Sequence, residues 1–294
     1  MLEIFQKAKE DKYALGAFNV SNLEQLKAII QAAQKLQSPV IVSTSQGESK
    51  FIGKKQIRAL IDSYKKETNL PIFLHLDHGK SFEIVQEAIK AGYDSVHFDG
   101  SELDFEENVE ITKKIVDLAK EKGVKNVEGE LGYLRGKSAI QEAVEIKEED
   151  LTDPKQALEF IEKTGVDSLA VAIGNIHGVF KSDQNPNLFL DRLEEISKMV
   201  GDKAGLVLHG GSGTPEEDIK KAIELGIVKV NVNTELRIAY REALKNYLQD
   251  NPDQTTPYKI MLSVVEAVQI VVEEKIKLFS MSKVGPLSFY ENNY

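Results

Sequence analysis

The chain has 294 residues and no cysteine; 41 % of its residues are hydrophobic, 29 % are charged, and the formal net charge is −10. This is a globular composition that excludes a disulfide scaffold and thiolate chemistry, and its acidity argues against nucleic acid as a partner. The opening MLEIFQKAKEDK is charged too early for a secretory signal and no apolar run reaches membrane-span length, so a cytoplasmic protein with no membrane partner is expected.

Eight apolar runs read as strands in chain order: LGAFNV, PVIVSTS, PIFLHLDH, SVHFDG, VKNVEGEL, SLAVAIG, GLVLHG and VKVNVNT. Between them lie stretches such as NLEQLKAIIQAAQKL and FEENVEITKKIVDLAKEKG, whose apolar residues recur three and four apart as on a helix face. Eight strand–helix units in a chain of this size predict an α/β fold, a closed (β/α)8 TIM barrel forming a single domain over residues 1–294. The competing architecture is a doubly wound open sheet, which carries fewer strands. Two segments depart from the repeat. Residues 132–153 are a polar insertion after strand five and read as a functional loop or lid. After NPDQTTP, MLSVVEAVQIVVEEKIKLF reads as a C-terminal helical extension, packed on the barrel or used in a subunit contact, before an irregular SMSKVGPLSFYENNY tail.

Three of the five histidines, His78, His177 and His209, follow apolar runs directly or nearly so. On a barrel that is the carboxyl-end rim, and imidazoles from three separate strands point to a metal site rather than to satisfied core histidines. In a regular strand Asp77 and His78 would face opposite ways; at the strand end both can face the mouth. His75 and His97 read either as hydrogen-bond donors behind the site or as ordinary buried polar residues. Glu128 and Glu130 share a strand face, and Glu130, nearer the rim, is a candidate ligand or a brace. The HGGSGTPEED segment offers glycine amides, with Thr214 as helix cap, Pro215 in the first turn and Glu217 completing a capping box. It suits a phosphate, as does the Asn231, Asn233, Thr234 run, while the segment from Gly178 to Lys181 can add a third wall.

LHLDHG, HFDGSELDFEENVEITKKIV, VEGELG, GVDSLAVAIGNIHGVFK, LVLHGGSGTPEEDIKKAIELGI and KVNVNTELR, in this order, resemble the class II, metal-dependent fructose-bisphosphate aldolases, in the branch shared with tagatose-bisphosphate aldolases. The resemblance implies zinc on His78, His177 and His209, Glu130 at an alternate metal position, and Asp77 as the catalytic aspartate. It implies phosphate binding at Gly178, Lys181, Gly211, Ser212, Asn231, Asn233 and Thr234, a second phosphate near Ser45, and Asn19 beside the substrate. The family's loop glutamate matches Glu142, although RGKSAIQEAVEI departs from the usual loop pattern and leaves Glu145 and Glu148 as substitutes. The implied reaction is reversible cleavage of fructose 1,6-bisphosphate to dihydroxyacetone phosphate and glyceraldehyde 3-phosphate, with tagatose 1,6-bisphosphate as alternative substrate. One catalytic Zn2+ per subunit, an additional monovalent cation, and a homodimer or homotetramer are the expected cofactors and assembly. Two other readings compete: a Schiff-base aldolase using Lys229, which more simply braces Glu128 or Glu130, and a non-catalytic metal-binding barrel.

Overall fold

The computed structural model describes residues 1–181 and 185–281. The elements run α1 (Leu2–Asp11), β1 (Leu15–Asn19), α2 (Leu23–Leu36), β2 (Val40–Ser45), α3 (Gln46–Ile52), α4 (Lys54–Thr68) and β3 (Ile72–Gly79). They continue with α5 (Phe82–Lys90), β4 (Ser95–Phe98), α6 (Phe105–Lys122), β5 (Asn126–Leu131), β6 (Gly136–Gln141), α7 (Pro154–Thr164), β7 (Ser168–Val171) and β8 (His177–Phe180). The last are α8 (Leu190–Val200), β9 (Gly205–Leu208), α9 (Glu216–Glu224), β10 (Ile227–Val232), α10 (Thr234–Asp250) and α11 (Pro257–Phe279). The eight strands read from the sequence close into a parallel barrel in the order β1-β10-β9-β7-β5-β4-β3-β2.

The barrel forms because each helix has one apolar stripe and each strand two usable faces. Outward residues such as Val42, Leu74, Val96 and Leu208 meet the helices in one continuous core. Inside the barrel the filling is graded. Leu15, Ala17, Ile41, Phe73 and Val228 form a small apolar cluster with Phe5 and Ala8 of α1, a helix that closes the end of the barrel remote from the histidines. Above it the register aligns Ser43 with His75, His75 with Ser95, Ser95 with Asn126, and Glu128 with Ser168. That belt is polar and largely paired within itself: Ser168 donates to Asn126 (3.1 Å), Asn126 to Ser95 (3.0 Å), and Ser95 meets His75 Nδ1 (2.7 Å), while the Ser43 hydroxyl has no partner among the described residues.

Three expectations change. The 132–153 insertion is not all loop. Its Gly136–Gln141 strand pairs in parallel with β8, making a two-stranded ribbon outside the barrel sheet. His177 opens β8 and therefore belongs to this ribbon; the barrel strand before it ends at Val171. Thr214 does not cap α9, whose N-cap is Pro215 without a side-chain bond, because the threonine hydroxyl donates instead to the Gly210 carbonyl (2.9 Å). The C-terminal extension is α11, which buries Val264, Val268, Val272, Ile276 and Phe279 while leaving Tyr258, Leu262 and Ile270 exposed. Of the tail, residues 282–294 lie outside the described residues. Among the described residues no helix is long and apolar enough to cross a membrane.

Candidate metal centre and active site

Backbone geometry brings Asp77 and His78 to the same mouth. His78 has φ 51°, in the left-handed region, at a point where the β3–β4 register shifts. A non-glycine residue there costs roughly 1 kcal/mol. The strain is held by the His78 amide, which donates to His97 Nδ1 (3.1 Å), and by Gly79 behind it, where a Cβ would lie 2.9 Å from the His97 carbonyl. The turn swings the imidazole out of strand alternation and beside Asp77.

The hydrogen bonds fix the ring tautomers. His78 Nδ1 lies 2.7 Å from Asp99 Oδ2, and His209 Nε2 lies 2.8 Å from Glu128 Oε1. A carboxylate only accepts, so each of those nitrogens carries a proton, and in a neutral ring the opposite nitrogen carries a lone pair. Those two nitrogens, His78 Nε2 and His209 Nδ1, face each other at 3.0 Å. Two lone pairs at that distance repel unless a positive charge sits between or beside them. The surroundings favour such a charge. Burial lowers the His78 pKa, yet Asp77, Asp99 and Glu130 together raise it to about 9. A proton on His78 or a metal ion shared with His209 meets the same demand.

Other donors converge there. Asp77, His78, His97 and His209 each place one ligand atom within 4.8 Å of the others, and His78, Asp99 and Glu130 form a second such group. Glu130 Oε2 is buried without a hydrogen-bond partner among the described residues, although His97 Nε2 stands 3.0 Å away in poor alignment. A buried, unsatisfied carboxylate oxygen is costly without a cation. His177 stands outside the tightest set, but its ring centroid is 4.8 Å from that of His78. Burial and the neighbouring His78 depress its pKa to about 4, so it is neutral and able to ligate. Burial, then His78 and His97, hold His209 well below its ordinary value as well. The residues present thus fit a metal of the nitrogen–oxygen class.

Asp77 is held as a carboxylate. Burial would raise its pKa, but His78, His209 and Lys229 keep it well below the ordinary range. Asn19 donates to one oxygen and Asn231 to the other, both at 3.0 Å, and its Oδ1 lies 3.8 Å from His78 Nε2 and from His209 Nδ1. It is anchored by two amides and lies beside the candidate ligand nitrogens, a position that suits a proton acceptor. Lys229, fully buried, braces Glu128 (2.7 Å) and donates to His75 Nε2 (3.0 Å). Burial opposes ionisation of Glu128, but Lys229, His97 and His75 bring its pKa down to about 2, which keeps it an acceptor for His209.

A narrow cavity of about 30 Å³ is lined by Asn19, Asp77, His78, His177, Gly178, His209, Ser212, Asn231, Asn233 and Thr234. The structure therefore gathers most of the residues singled out from the sequence. The acceptor oxygens of Asn19, Asn231 and Asn233 are buried without partners among the described residues, leaving them available to hydroxyl or ammonium donors. Some expected donors are already engaged. The Gly211 amide donates to the Asn231 carbonyl (2.9 Å), the Gly213 amide to Glu235 (2.7 Å), and the Ser212 hydroxyl accepts from the amides of Asn233 and Glu235 (both 3.3 Å). Gly178, at φ 88°, is required by close approach: a Cβ would lie 2.1 Å from the Lys137 carbonyl. Ser45 caps α3, and Glu142 and Lys181 form an exposed ion pair with each other, outside the cavity lining.

Three residues went unread in the sequence. Asp99 orients His78 and also pairs with Lys80 (2.9 Å); its place at the end of the HFDG run was the available signal. Ser138 reaches the cavity only because the insertion folds into β6. Glu48, buried at the start of α3, accepts from Asn19, Ser45 and Arg237, and nothing in STSQGESK distinguished it from an ordinary capping residue.

Comparison with known proteins gives a consistent result. A family model described as "Fructose-bisphosphate aldolase class-II" matches residues 1–283. The chain is 43 % identical over 289 residues to a probable fructose-bisphosphate aldolase of Bacillus subtilis, covering 96 % of this chain and 97 % of that one. It is 41 % identical over 276 residues to a sulfofructosephosphate aldolase of Alkalicoccus urumqiensis, covering 94 % of each. Among solved structures, the YdjI aldolase of Escherichia coli K12 superposes with a TM-score of 0.79 at 37 % identity, covering 96 % of this chain and 97 % of that one. A putative fructose-1,6-biphosphate aldolase from Coccidioides immitis gives 0.83 at 29 % identity, covering 96 % of each chain.

Proposed function

The chain belongs to the class II fructose-bisphosphate aldolase family, and from that membership we propose that it cleaves fructose 1,6-bisphosphate reversibly to dihydroxyacetone phosphate and glyceraldehyde 3-phosphate. The family is metal dependent, and the observation that carries the proposal is the pair of imidazole nitrogens, His78 Nε2 and His209 Nδ1, facing each other at 3.0 Å beside Asp77. His78, His177 and His209 would hold the ion, zinc by the nature of the donors, with Glu130 as an alternate ligand. A zinc ion bound there supplies a Lewis acid for the ketose carbonyl.

The chain's own groups do the rest. Asp77 takes the proton of the C4 hydroxyl as the C3–C4 bond breaks and returns it in synthesis. Asn19 and Asn231 hold that carboxylate in place, and their free acceptor oxygens face the sugar hydroxyls. Gly178, Gly211, Ser212, Asn233, Thr234 and Lys181 would receive the C1 phosphate, which requires the Lys181–Glu142 pair to open and the Gly211 amide to leave the Asn231 carbonyl. Glu142, released from Lys181, would then reach the carbon that must be protonated after cleavage. The cavity is open on one side and the β6–β8 ribbon contributes Ser138, His177 and Gly178 to its wall, so a bound sugar would extend out of it along the ribbon. A single domain over residues 1–294, a cytoplasmic location, a homodimer or homotetramer, and an accessory monovalent cation belong to the same reading.

Tagatose 1,6-bisphosphate is the second substrate reading, since it differs only in configuration at C4, beside Asp77. The relatives' names also vary in the sugar: one names a sulfofructose phosphate where another names fructose bisphosphate. Lys229 is a structural cation here. Its contacts with Glu128 and His75 engage the protons that a Schiff-base nucleophile must lose. The test is cleavage of both bisphosphates before and after chelation. Activity should vanish with the metal and return with zinc or cobalt, and borohydride with substrate should leave no adduct on Lys229. Full turnover without metal, or a trapped lysine, defeats the proposal.

A further inference from the structure

The proposed cleavage puts the C1 phosphate at the β9–α9 and β10–α10 turns and the C4 hydroxyl at Asp77. The far end of the sugar then points past Asp77 toward β2, where Ser45 stands next to Asp77 in the strand register. A second phosphate arriving there would need free donors. The donors exist, but a carboxylate of the chain already holds them. Glu48 Oε2 accepts from the Ser45 amide (2.7 Å) and from Asn19 Nδ2 (2.9 Å), while its Oε1 accepts from Arg237 Nη2 (2.8 Å). Glu48 is only 6 % exposed, and its contact with Asn19 places it one amide away from Asp77.

We propose that Glu48 is a specificity-determining residue that fills the distal anion position with its own carboxylate, and so weakens the enzyme's preference for ketose 1,6-bisphosphates relative to ketose 1-phosphates whose far end is a neutral hydroxyl. The inference rests on the aldolase reading above and refines its substrate. A phosphate dianion would have to take Arg237 from Glu48 and then sit beside the displaced carboxylate, and like charges side by side repel. A hydroxyl has no such conflict, because it can donate to Glu48 with the Arg237 pair intact. Arg237 also donates to the Ser138 carbonyl of β6 (3.1 Å), so breaking its pair with Glu48 would disturb the ribbon as well.

A purely structural role for Glu48 is the competing account, since it completes a capping box with Ser45 at the start of α3. Glu48→Gln separates the two. Glutamine supports the same capping box but carries no charge. The measurement is kcat/KM for fructose 1-phosphate and fructose 1,6-bisphosphate, taken on metal-loaded wild type, Glu48→Gln and Glu48→Ala. The expected result is a shift of the bisphosphate-to-monophosphate ratio by about tenfold or more toward the bisphosphate in both variants, carried mainly by KM. Reading the ratio within each variant cancels any general loss of folded or metal-loaded protein. An unchanged ratio in both variants overturns the assignment of Glu48 while leaving the aldolase reading intact. Cleavage of neither sugar by wild type overturns that reading, and this inference with it.

Discussion

At the residue scale the site is a set of paired demands. Asp77 must stay ionised in a buried place, and Asn19, Asn231 and the surrounding imidazoles keep it so. Replacing Asp77 with Asn keeps the shape and removes the base. The variant should bind zinc normally and lose about 10²-fold or more in kcat; near-native turnover would show that Asp77 only orients His78. His209 depends on Glu128 for its tautomer, and Glu128 on Lys229 for its charge. Glu128→Gln can present a donor to His209 and turn the wrong nitrogen outward. Zinc affinity, measured by chelator competition, should fall about 10- to 100-fold. An unchanged affinity would mean that the ring is held by packing alone. Glu142 is exposed and paired with Lys181, so it must leave that partner to act on the substrate. If it reaches the substrate, Glu142→Ala should slow solvent exchange of the C1 proton of dihydroxyacetone phosphate about 10²-fold, with metal content unchanged. Persistence of exchange there, with loss in the Glu145 or Glu148 variant, would move the role along the loop.

At the element scale the β6–β8 ribbon forms one wall of the cavity. It carries His177 to the barrel mouth, and Gly178 lets its two strands approach. A methyl group at 178 meets the Lys137 and Ala139 carbonyls at 2.1 and 2.4 Å, in a backbone conformation that alanine resists. Gly178→Ala should therefore misplace His177 and weaken zinc binding. The thermal unfolding midpoint of the metal-free protein should scarcely change, because the ribbon lies outside the barrel sheet. A large drop in the midpoint of the metal-free variant would instead make the ribbon part of the cooperative core. This element was half legible. The sequence marked 132–153 as an unusual connection, but GKSAIQ has neither strict alternation nor a long apolar run. Its strand exists because β8 offers it an edge.

At the scale of the whole molecule, the two ends of the barrel do different work. The histidine end carries strain and unsatisfied polar atoms, while the other end is closed by α1 and by ionic ties between helices and strands. Asp94 accepts from the Leu74 amide, Arg58 and Lys65, which fastens α4 to the barrel. Burial raises its pKa, but those three partners more than offset it and leave the folded-state value depressed. A depressed carboxylate contributes stability above its unfolded pKa of about 4, and that stability is lost as pH falls through the folded value. Asp94→Asn should cost about 2 kcal/mol at neutral pH and flatten the acid limb of the stability profile. Denaturant unfolding from pH 3 to pH 7 would expose an error here as parallel curves for wild type and variant.

The sequence by itself determined the eight barrel strands, the C-terminal helix and most of the cavity lining. Strand runs and helix stripes are local patterns, and residues such as Asp77, His78 and Asn231 sit at strand ends that such patterns mark. What it could not determine was anything that depends on which groups meet across the barrel. His177 reads as a strand end but belongs to the ribbon, and the charged MLEIFQKAKEDK opening gives no sign that Phe5 of α1 clusters with Phe73 and Val228 inside the barrel. The left-handed turn at His78 has no signature, because a histidine adopts it only when its surroundings hold it there. Thr214 and the glycine amides of HGGSG are spent on neighbours far away in the chain or on local turns, since every buried donor takes the first good acceptor that folding supplies. Glu48 is the sharpest case. Its capping box is written in four consecutive residues, whereas its hold on Asn19 and Arg237, 29 and 189 residues away, exists only once the barrel has closed.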